Sequence, residues 1–435
     1  MNPRYPDPSD FSPELVLKQK LKGRLLDLLE LTPKTMPPTE KRATLEEALQ
    51  RAIKQLPPDD PKQVPLILSP QDQQRLVREV YEEVVGLGPL DALIGDATIS
   101  EIMVNSYKHI FVERNGKIER VAAQFRDEQH LMQVIERILQ PVGRTVNESE
   151  PLCDASLPDG SRINVVIAPL VMNGPVMTIR RKVQDWSLSQ LIASGMLSAE
   201  ASEFLASCVR AKVNLIVSGA TSTGKTTLVT ALCTSIPSDE RIISIENVPE
   251  LDLPNRDNWI RMVAKSANVQ GKGEIPLREL VKNALRMRPD RIILGEARGG
   301  EALDVVQAMQ SGHDGFMTVL HANTASGALE RLETLMLMSG LDISPSACRR
   351  QIAGAVDMVV HLGRFADGVR RVVSIAQVLA NTEAIYQLEE VFAFDAQGYS
   401  SQGRLEGTCR YTGVRPKCLS KFALNNVVVP GWLMK

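Results

Sequence analysis

The stretch LIVSGATSTGKTTLVTAL, which begins at Leu215, limits the folds open to this chain more than any other. Residues 219–226 fit the pattern G-x-x-x-x-G-K-[ST] without deviation, and a match to a pattern this restrictive seldom arises by chance. One apolar run precedes the loop and another follows it, which is typical of a strand, a phosphate-binding loop and a helix in succession. The sequence therefore predicts a parallel sheet with a nucleotide-binding loop.

The composition of this loop suits a triphosphate. Glycine lets the backbone curl so that its N–H groups point at phosphate oxygens, and the start of the helix adds partial positive charge. Lys225 is expected to reach the β- and γ-phosphates of ATP, and the Thr226 hydroxyl to hold Mg²⁺. The residues expected to contact the nucleotide are Gly219, Ala220, Thr221, Ser222, Thr223, Gly224, Lys225, Thr226 and Thr227.

Three later apolar segments end in polar residues. RIISIENVPEL offers Glu246 and Glu250, RIILGEAR offers Glu296 after Gly295, and GFMTVLHAN offers His321. Carboxyl ends of parallel strands meet at one edge of a sheet, where ligands bind. Glu296 is expected to order Mg²⁺ (through water) or the attacking water, with Gly295 leaving space beside the nucleotide. His321 is expected to bond the γ-phosphate. Such residues taken singly are often structural, so the functional interpretation depends on their combination with the loop.

The pattern along the 435 residues predicts four segments. A proline-rich, partly helical extension covers 1–75, and an α+β domain of mixed helices and hairpins covers 76–183. An α/β domain, in which strands alternate with helices, covers 184–380, and a tail over 381–435 is expected to pack on it.

Local signals predict the first helices. Leu17, Leu21, Leu25 and Leu28 share one face of a helix. Thr44 with Glu47 forms a capping pattern, and Ser69 is a further N-cap before a helix that stops at Gly86.

Composition excludes several classes of function. The net charge of −2 and the aromatic content of 4% argue against nucleic-acid binding. The six cysteines form no CxxC pair, which argues against a zinc ribbon. No apolar run approaches the roughly 20 residues that span a bilayer, so a cytoplasmic protein that docks on a membrane complex is expected. The pair Arg370–Arg371 is interpreted as solvated.

Beyond the loop, several blocks resemble the bacterial ATPases of the type II/type IV secretion superfamily, and most of all their Flp/Tad pilus-assembly branch. The blocks lie between about 76 and 420 in the family's order and include GLGPLDALIGDATISEIMVN, GRTVNESEPLCDASLPDGSRINVVIAPL, ALRMRPDRIILGEARGGEALDVVQAMQSGHDG and TVLHANTASGALERLETL. The resemblance implies an N-terminal α+β domain and a RecA-like P-loop domain, assembled into hexameric rings. It also implies that ATP hydrolysis drives pilus assembly or export at the inner membrane, with a platform protein as partner.

The resemblance also implies roles for single residues. IENVPE lies at the family's acidic box, in which Glu246 and Glu250 remain alternative candidates for activating water. ILGEAR and TVLHA match the Walker B and His boxes, with Glu296 and His321. Arginines of the N-terminal domain complete the site in this family, and the matching positions are Arg144, Arg162 and Arg180.

Two departures from the family pattern stand out. Asn247 replaces the aspartate that usually follows the first acidic-box glutamate, which predicts slower turnover or an altered metal shell. The four-cysteine zinc module of many type II exporters is absent from the sequence, which favours the Flp/Tad or type IV branches. A non-catalytic nucleotide-binding regulator or scaffold remains the alternative function.

Overall fold

The computed structural model describes residues 13–31, 38–55, 69–114, 116–181, 186–253, 256–265, 272–380 and 387–434. The chain forms two compact units. The first comprises Met1–Arg114, Ile118–Leu157 and Arg162–Arg180, and the second comprises Asn115–Lys117, Pro158–Ser161 and Arg181–Lys435. The four segments predicted from the sequence are finer than this division, and their boundaries stay predictions.

The first unit begins with three helices, α1 (Pro13–Leu31), α2 (Pro38–Gln55) and α3 (Pro70–Val84). The expected apolar face of α1 is confirmed, because Leu21 and Leu25 are fully buried among residues of α2 and α3. Ser69 caps α3 by accepting the N–H of Asp72. The predicted cap at Thr44 is wrong, since Thr44 lies inside α2. That helix starts earlier, at Pro38, because proline lacks the N–H that a first helical turn leaves unbonded anyway.

The rest of the first unit is the expected α+β domain. Its six-stranded sheet has the order β3-β2-β1-β6-β5-β4. Helix α5 buries Leu131, Val134 and Ile135 in the core of this domain. The hairpin predicted at Asn115–Gly116 joins β2 and β3, but Asn115 itself lies outside the described residues. The elements are α4 (Leu90–Gly95), β1 (Ile99–Ser106), β2 (His109–Arg114), β3 (Lys117–Val121), α5 (Glu128–Leu139), β4 (Leu152–Ser156), β5 (Arg162–Val166) and β6 (Val176–Arg180).

The second unit is built on a nine-stranded sheet with the order β15-β14-β13-β12-β7-β11-β10-β8-β9. The strands from β12 to β9 run parallel, and β13, β14 and β15 continue the sheet in antiparallel fashion. The strands are β7 (Leu215–Gly219), β8 (Ile242–Glu246), β9 (Trp259–Val263), β10 (Arg291–Leu294), β11 (Met317–His321), β12 (Met358–Arg364), β13 (Arg370–Leu379), β14 (Gln387–Tyr399) and β15 (Leu405–Tyr411).

Helices cover both faces of this sheet, which confirms the predicted RecA-like α/β architecture. Two apolar cores result. One joins α7, α8 and α13 to the sheet around Phe204, Leu228 and Phe422, and the other joins α9, α10, α11 and α12. The helices are α6 (Leu188–Ala193), α7 (Ala199–Arg210), α8 (Lys225–Cys233), α9 (Leu277–Ala284), α10 (Glu301–Gln310), α11 (Ala325–Leu337), α12 (Pro345–Ala355) and α13 (Leu419–Leu424). No helix in the described ranges is long and apolar enough to cross a membrane.

The C-terminal segment contributes to the sheet itself. Strands β14 and β15 extend the edge that β13 begins. Near the chain end, the Trp432 ring packs against the rings of Phe204, Phe392 and Tyr411, with centroid distances from 5.3 to 6.5 Å. Residues after 386 therefore complete the apolar core on one face of the sheet.

Candidate nucleotide-binding site

The glycine-rich loop joins the buried strand β7 to helix α8, as the sequence predicts. Ser222 has a left-handed backbone with φ +59°, and Gly224, at φ +92°, is the N-cap of α8. A Cβ atom on Gly219 would lie 2.6 Å from the Leu362 carbonyl oxygen and 2.7 Å from Thr223 Oγ1. Only glycine fits where the loop passes this close to β12, and left-handed residues within such a turn are typical of anion-binding sites.

Two side chains bond to one carbonyl inside the loop. Lys225 Nζ donates to the Ala220 oxygen at 2.7 Å, and Thr223 Oγ1 donates to the same oxygen at 2.9 Å. Lys225 is only 6% exposed. A buried ammonium group requires strong acceptors, and the Ala220 carbonyl oxygen is one such acceptor.

The two acidic-box glutamates make different contacts: Glu250, in the loop after β8, contacts Thr226, whereas Glu246 is the last residue of β8 itself. Thr226 Oγ1 donates to Glu250 Oε2 at 3.1 Å. Glu246 is buried, and its Oε1 accepts the N–H groups of Glu250 at 2.9 Å and Leu251 at 3.0 Å. Burial raises the pKa of Glu246, although these backbone bonds oppose the shift. Glu250 is therefore the carboxylate in contact with Thr226, and Glu246 holds the turn that presents it.

Gly295 serves a different purpose from the one the sequence predicts. A Cβ on this residue would lie 2.9 Å from Glu246 Cγ. Glu246 of the neighbouring strand β8 fills the space beside Gly295. The expectation that this space is left for the nucleotide is therefore wrong.

Glu296 and His321 lie together at the carboxyl edge of the sheet. Glu296 Oε1 is 3.4 Å from His321 Nε2, and its Oε2 accepts from Arg298 Nη2 at 2.7 Å. The bond to Glu296 raises the pKa of Arg298. His321 pairs in register with Gly219, the first residue of the loop. The edge thus gathers the loop, both acidic-box glutamates, Glu296 and His321, as the sequence analysis expects.

His361 on β12 is a polar residue near the loop that is not among those predicted from the sequence. Its Nδ1 is 3.0 Å from the Ser218 hydroxyl on β7. The ring is buried, and burial lowers the pKa of His361; nearby Lys225 lowers it further, while a bond to the Asn323 backbone opposes the shift. His361 therefore connects the strand that leads into the loop with the segment after His321. A lone histidine in the apolar run MVVHLGR carries no signal that would have revealed this contact.

The three candidate arginines belong to the first unit. Arg162 on β5 and Arg180 on β6 are directly opposite each other, and Arg180 is also paired with Glu101 on β1. Burial raises the pKa of Glu101 and Arg180 opposes that rise, so the Glu101 carboxylate offsets part of the positive charge of this pair. Arg144 follows Gly143 in an exposed turn. The sheet therefore brings Arg162 and Arg180 together, and Arg144 lies on a separate loop.

The chain is similar in sequence to several known proteins. Residues 83–408 match the family of type II/IV secretion system proteins. The chain is 32% identical over 326 residues to a putative conjugal transfer protein of Mycobacterium tuberculosis, which covers 73% of this chain and 92% of the relative. It is also 32% identical over 331 residues to the type IV secretion system protein VirB11 of Brucella suis. This match covers 70% of this chain and 92% of the relative. Among solved structures, the crystal structure of the Brucella suis VirB11 ATPase in complex with sulphate has 30% sequence identity to this chain and a TM-score of 0.37. The match covers 66% of this chain and 92% of that one.

Proposed function

Because the chain belongs to the type II/IV secretion system protein family and is an ATP hydrolase, we propose that it is the motor of a secretion or pilus-assembly machine. The observation that best supports this role is the hydrogen bond between Thr226 and Glu250. It places a carboxylate beside the hydroxyl that is expected to hold Mg²⁺, at the same sheet edge as Glu296 and His321.

The residues present suit ATP and Mg²⁺. The amides of residues 219–226 and Lys225 would bind the β- and γ-phosphates, the Thr226 hydroxyl would ligate the ion, and Glu296 would act on it through water. Mg²⁺ takes oxygen ligands and keeps several waters, and it supplies charge neutralisation at the phosphates. Within the described ranges no group of three or more His, Cys, Asp or Glu side chains is arranged to hold a metal, and an ion held by phosphates and water does not require one.

The two acidic-box glutamates are assigned different tasks. Glu250 lies next to Thr226 and orients and deprotonates the attacking water. Glu246 positions Glu250 through the two backbone bonds it accepts. His321 bonds the γ-phosphate and exchanges that contact for Glu296 when the phosphate leaves. Asn247 is exposed and brings no charge to this loop, so we expect slower turnover than an aspartate would give.

Arg162, Arg180 and Arg144 supply positive charge for the γ-phosphate. Charge that develops as the terminal bond breaks is stabilised by guanidinium groups. The register of β5 and β6 supports this role, because it places Arg162 and Arg180 side by side on one sheet. Loss of the γ-phosphate would remove their partner and so link hydrolysis to movement.

The machine is proposed to be of the Flp/Tad type, with the chain as a hexameric ring at the cytoplasmic face of the inner membrane. An inner-membrane platform protein is the proposed partner. The sequence blocks quoted above support this branch. The six cysteines, all free and buried, argue against a type II exporter with a four-cysteine zinc module and leave both the Flp/Tad and the type IV branches open. The reported relatives are a conjugal transfer and a type IV secretion protein, so a conjugation machine is the nearest competing assignment.

Phosphate release from purified protein tests the motor against a non-catalytic regulator. We expect Mg²⁺-dependent ATP hydrolysis by the wild type and a large loss, about a hundredfold or more, in Lys225→Ala and Glu296→Gln. Equal release from all three proteins would refute the motor. Salt-sensitive stimulation by DNA would instead favour a DNA motor, and sedimentation in the presence of nucleotide measures the size of the ring.

A further inference from the structure

Arg370, the first residue of β13, donates a hydrogen bond to the phosphate-binding loop and passes beside Gly224. Its Nε donates to the Ser222 carbonyl oxygen at 2.8 Å. Its Cδ lies 3.4 Å from the position that a Cβ on Gly224 would occupy. The interpretation of Arg370 and Arg371 as a solvated pair is therefore wrong. Strand β13 is two strands away from β7 in the sheet, so this arginine reaches the loop from outside the residues of the motif.

The bond to Ser222 constrains a donor for the phosphates. The Ser222 carbonyl and the Thr223 N–H belong to one planar trans peptide, and so they point in opposite directions. Fixing the carbonyl toward Arg370 fixes the Thr223 N–H on the other side of the loop. Ser222 also holds a left-handed backbone at φ +59°, a conformation that is unfavourable for residues other than glycine. The guanidinium group stabilises that conformation.

The turn before Arg370 is anchored in its own right. Arg371 is 5% exposed and forms a two-pronged ion pair with Asp367, at 3.1 and 2.7 Å. The Arg371 guanidinium also donates to the Leu405 carbonyl, and the Leu405 N–H donates to Asp367, which ties the turn to β15. The same guanidinium lies over the Phe365 ring at 5.4 Å. These contacts fix the backbone next to Arg370 at the antiparallel end of the sheet.

We infer that Arg370 is a positioning residue for nucleotide hydrolysis: it holds Ser222 and the Thr223 amide in the phosphate-binding conformation and links that loop to strands β13–β15. This inference rests on the proposed role of the loop. Arg370 acts through the protein backbone, by its bond to the Ser222 carbonyl oxygen.

The test compares Arg370→Met, which keeps the aliphatic stem beside Gly224 and removes the donor, with Arg370→Lys, which keeps a donor. Arg410→Met is the matched control, because Arg410 is an exposed residue of β15.

Three measurements apply to each variant: KM and kcat for ATP, the dissociation constant for Mg·ADP by calorimetry, and deuterium exchange of the peptide that covers the loop. Loss of a hydrogen bond to a charged group predicts a rise of about ten- to a hundredfold in KM and in the ADP dissociation constant for Arg370→Met. Faster exchange at the loop is expected with it, with partial recovery in Arg370→Lys.

A second substitution separates positioning from a general loss of structure. Glycine adopts the left-handed conformation without cost, so Ser222→Gly is expected to restore much of the nucleotide affinity in the Arg370→Met background. Unchanged KM and unchanged exchange in Arg370→Met would overturn the inference, and so would a Ser222→Gly double variant that recovers nothing. If Lys225→Ala hydrolysed ATP like the wild type, the proposed function would fail instead, whatever Arg370 does.

Discussion

The side chain of Glu246 occupies the space that a side chain on residue 295 would need. Cγ of Glu246 lies 2.9 Å from the position of a Cβ on Gly295, and β8 and β10 are neighbours in the sheet. Glu246 in turn accepts the N–H of Glu250, and Glu250 accepts from Thr226. The glycine that follows β10 therefore leaves the space for Glu246, which in turn positions the carboxylate next to Thr226.

Gly295→Ala is expected to displace Glu246 and so weaken the hydrogen bonds between Glu246 and Glu250 and between Glu250 and Thr226. Overpacking of this kind costs about 1–3 kcal/mol in unfolding free energy, and kcat is expected to fall with it. Denaturant unfolding and ATP hydrolysis measure the two effects. Gly431→Ala is the control, because no atom lies within 4 Å of the position that a Cβ on Gly431 would occupy. Wild-type behaviour of Gly295→Ala would contradict the packing role.

Glu250→Gln and Glu246→Gln are expected to differ in kcat. Loss of a general base lowers the rate by about 10²–10⁴-fold, and this is the expected result for Glu250→Gln. An amide oxygen at position 246 still accepts both backbone N–H groups. Glu246→Gln also removes the burial cost of a carboxylate whose pKa is raised, so we expect near-normal kcat and equal or greater thermal stability. A larger loss of kcat in Glu246→Gln would reverse the assignment of the two glutamates.

His361 is expected to make the protein sensitive to mild acid. Its folded pKa is below the ordinary value of about 6.5, so the unfolded chain binds the proton more readily. Stability is therefore full above about pH 6.5 and falls as the pH drops toward the folded pKa. Thermal melts between pH 7.5 and about 5 are expected to lose less stability in His361→Gln than in the wild type. His109→Gln serves as control, because His109 is exposed. The same pH dependence of the melting temperature in wild type and His361→Gln would contradict this role of His361.

Asp367→Asn is expected to destabilise the turn that carries Arg370. The Asp367 and Arg371 side chains are 4% and 5% exposed, and breaking a buried ion pair costs about 3 kcal/mol or more. The bond to Arg371 keeps the pKa of Asp367 well below its usual range. The stability it contributes is thus present above about pH 4 and is lost as the pH falls toward the folded pKa. Asp395→Asn removes an exposed ion pair with Arg410 and is expected to cost under about 1 kcal/mol. Equal unfolding free energies of the two variants would contradict the account.

The sequence was enough to predict the parts of the site that a local pattern defines. The loop motif, the strands before and after it, and the polar residues at the ends of β8, β10 and β11 all follow from apolar runs and their last residues. The parallel sheet then brings those ends to one edge without further information. The assignment of His361 and Arg370 required the strand order instead, since Ser218 and His361 are 143 residues apart and Ser222 and Arg370 are 148 apart.

Two other features also lay beyond sequence reasoning. The difference between Glu246 and Glu250 depends on how one loop turns back on itself, because only the turn decides which carboxylate meets Thr226. The need for glycine at 295 comes from a side chain on the neighbouring strand. The start of α2 was misjudged because the Thr44 pattern is a strong local signal, whereas Pro38 already provides a favourable first turn.

Calorimetric titration with Mg·AMP-PNP tests the central claim that the loop between β7 and α8 binds the triphosphate. The account predicts a saturable heat of binding for the wild type and an affinity lowered by about tenfold or more in Lys225→Ala, with both proteins equally folded. No binding heat from folded wild type, or the same affinity in Lys225→Ala, would contradict it.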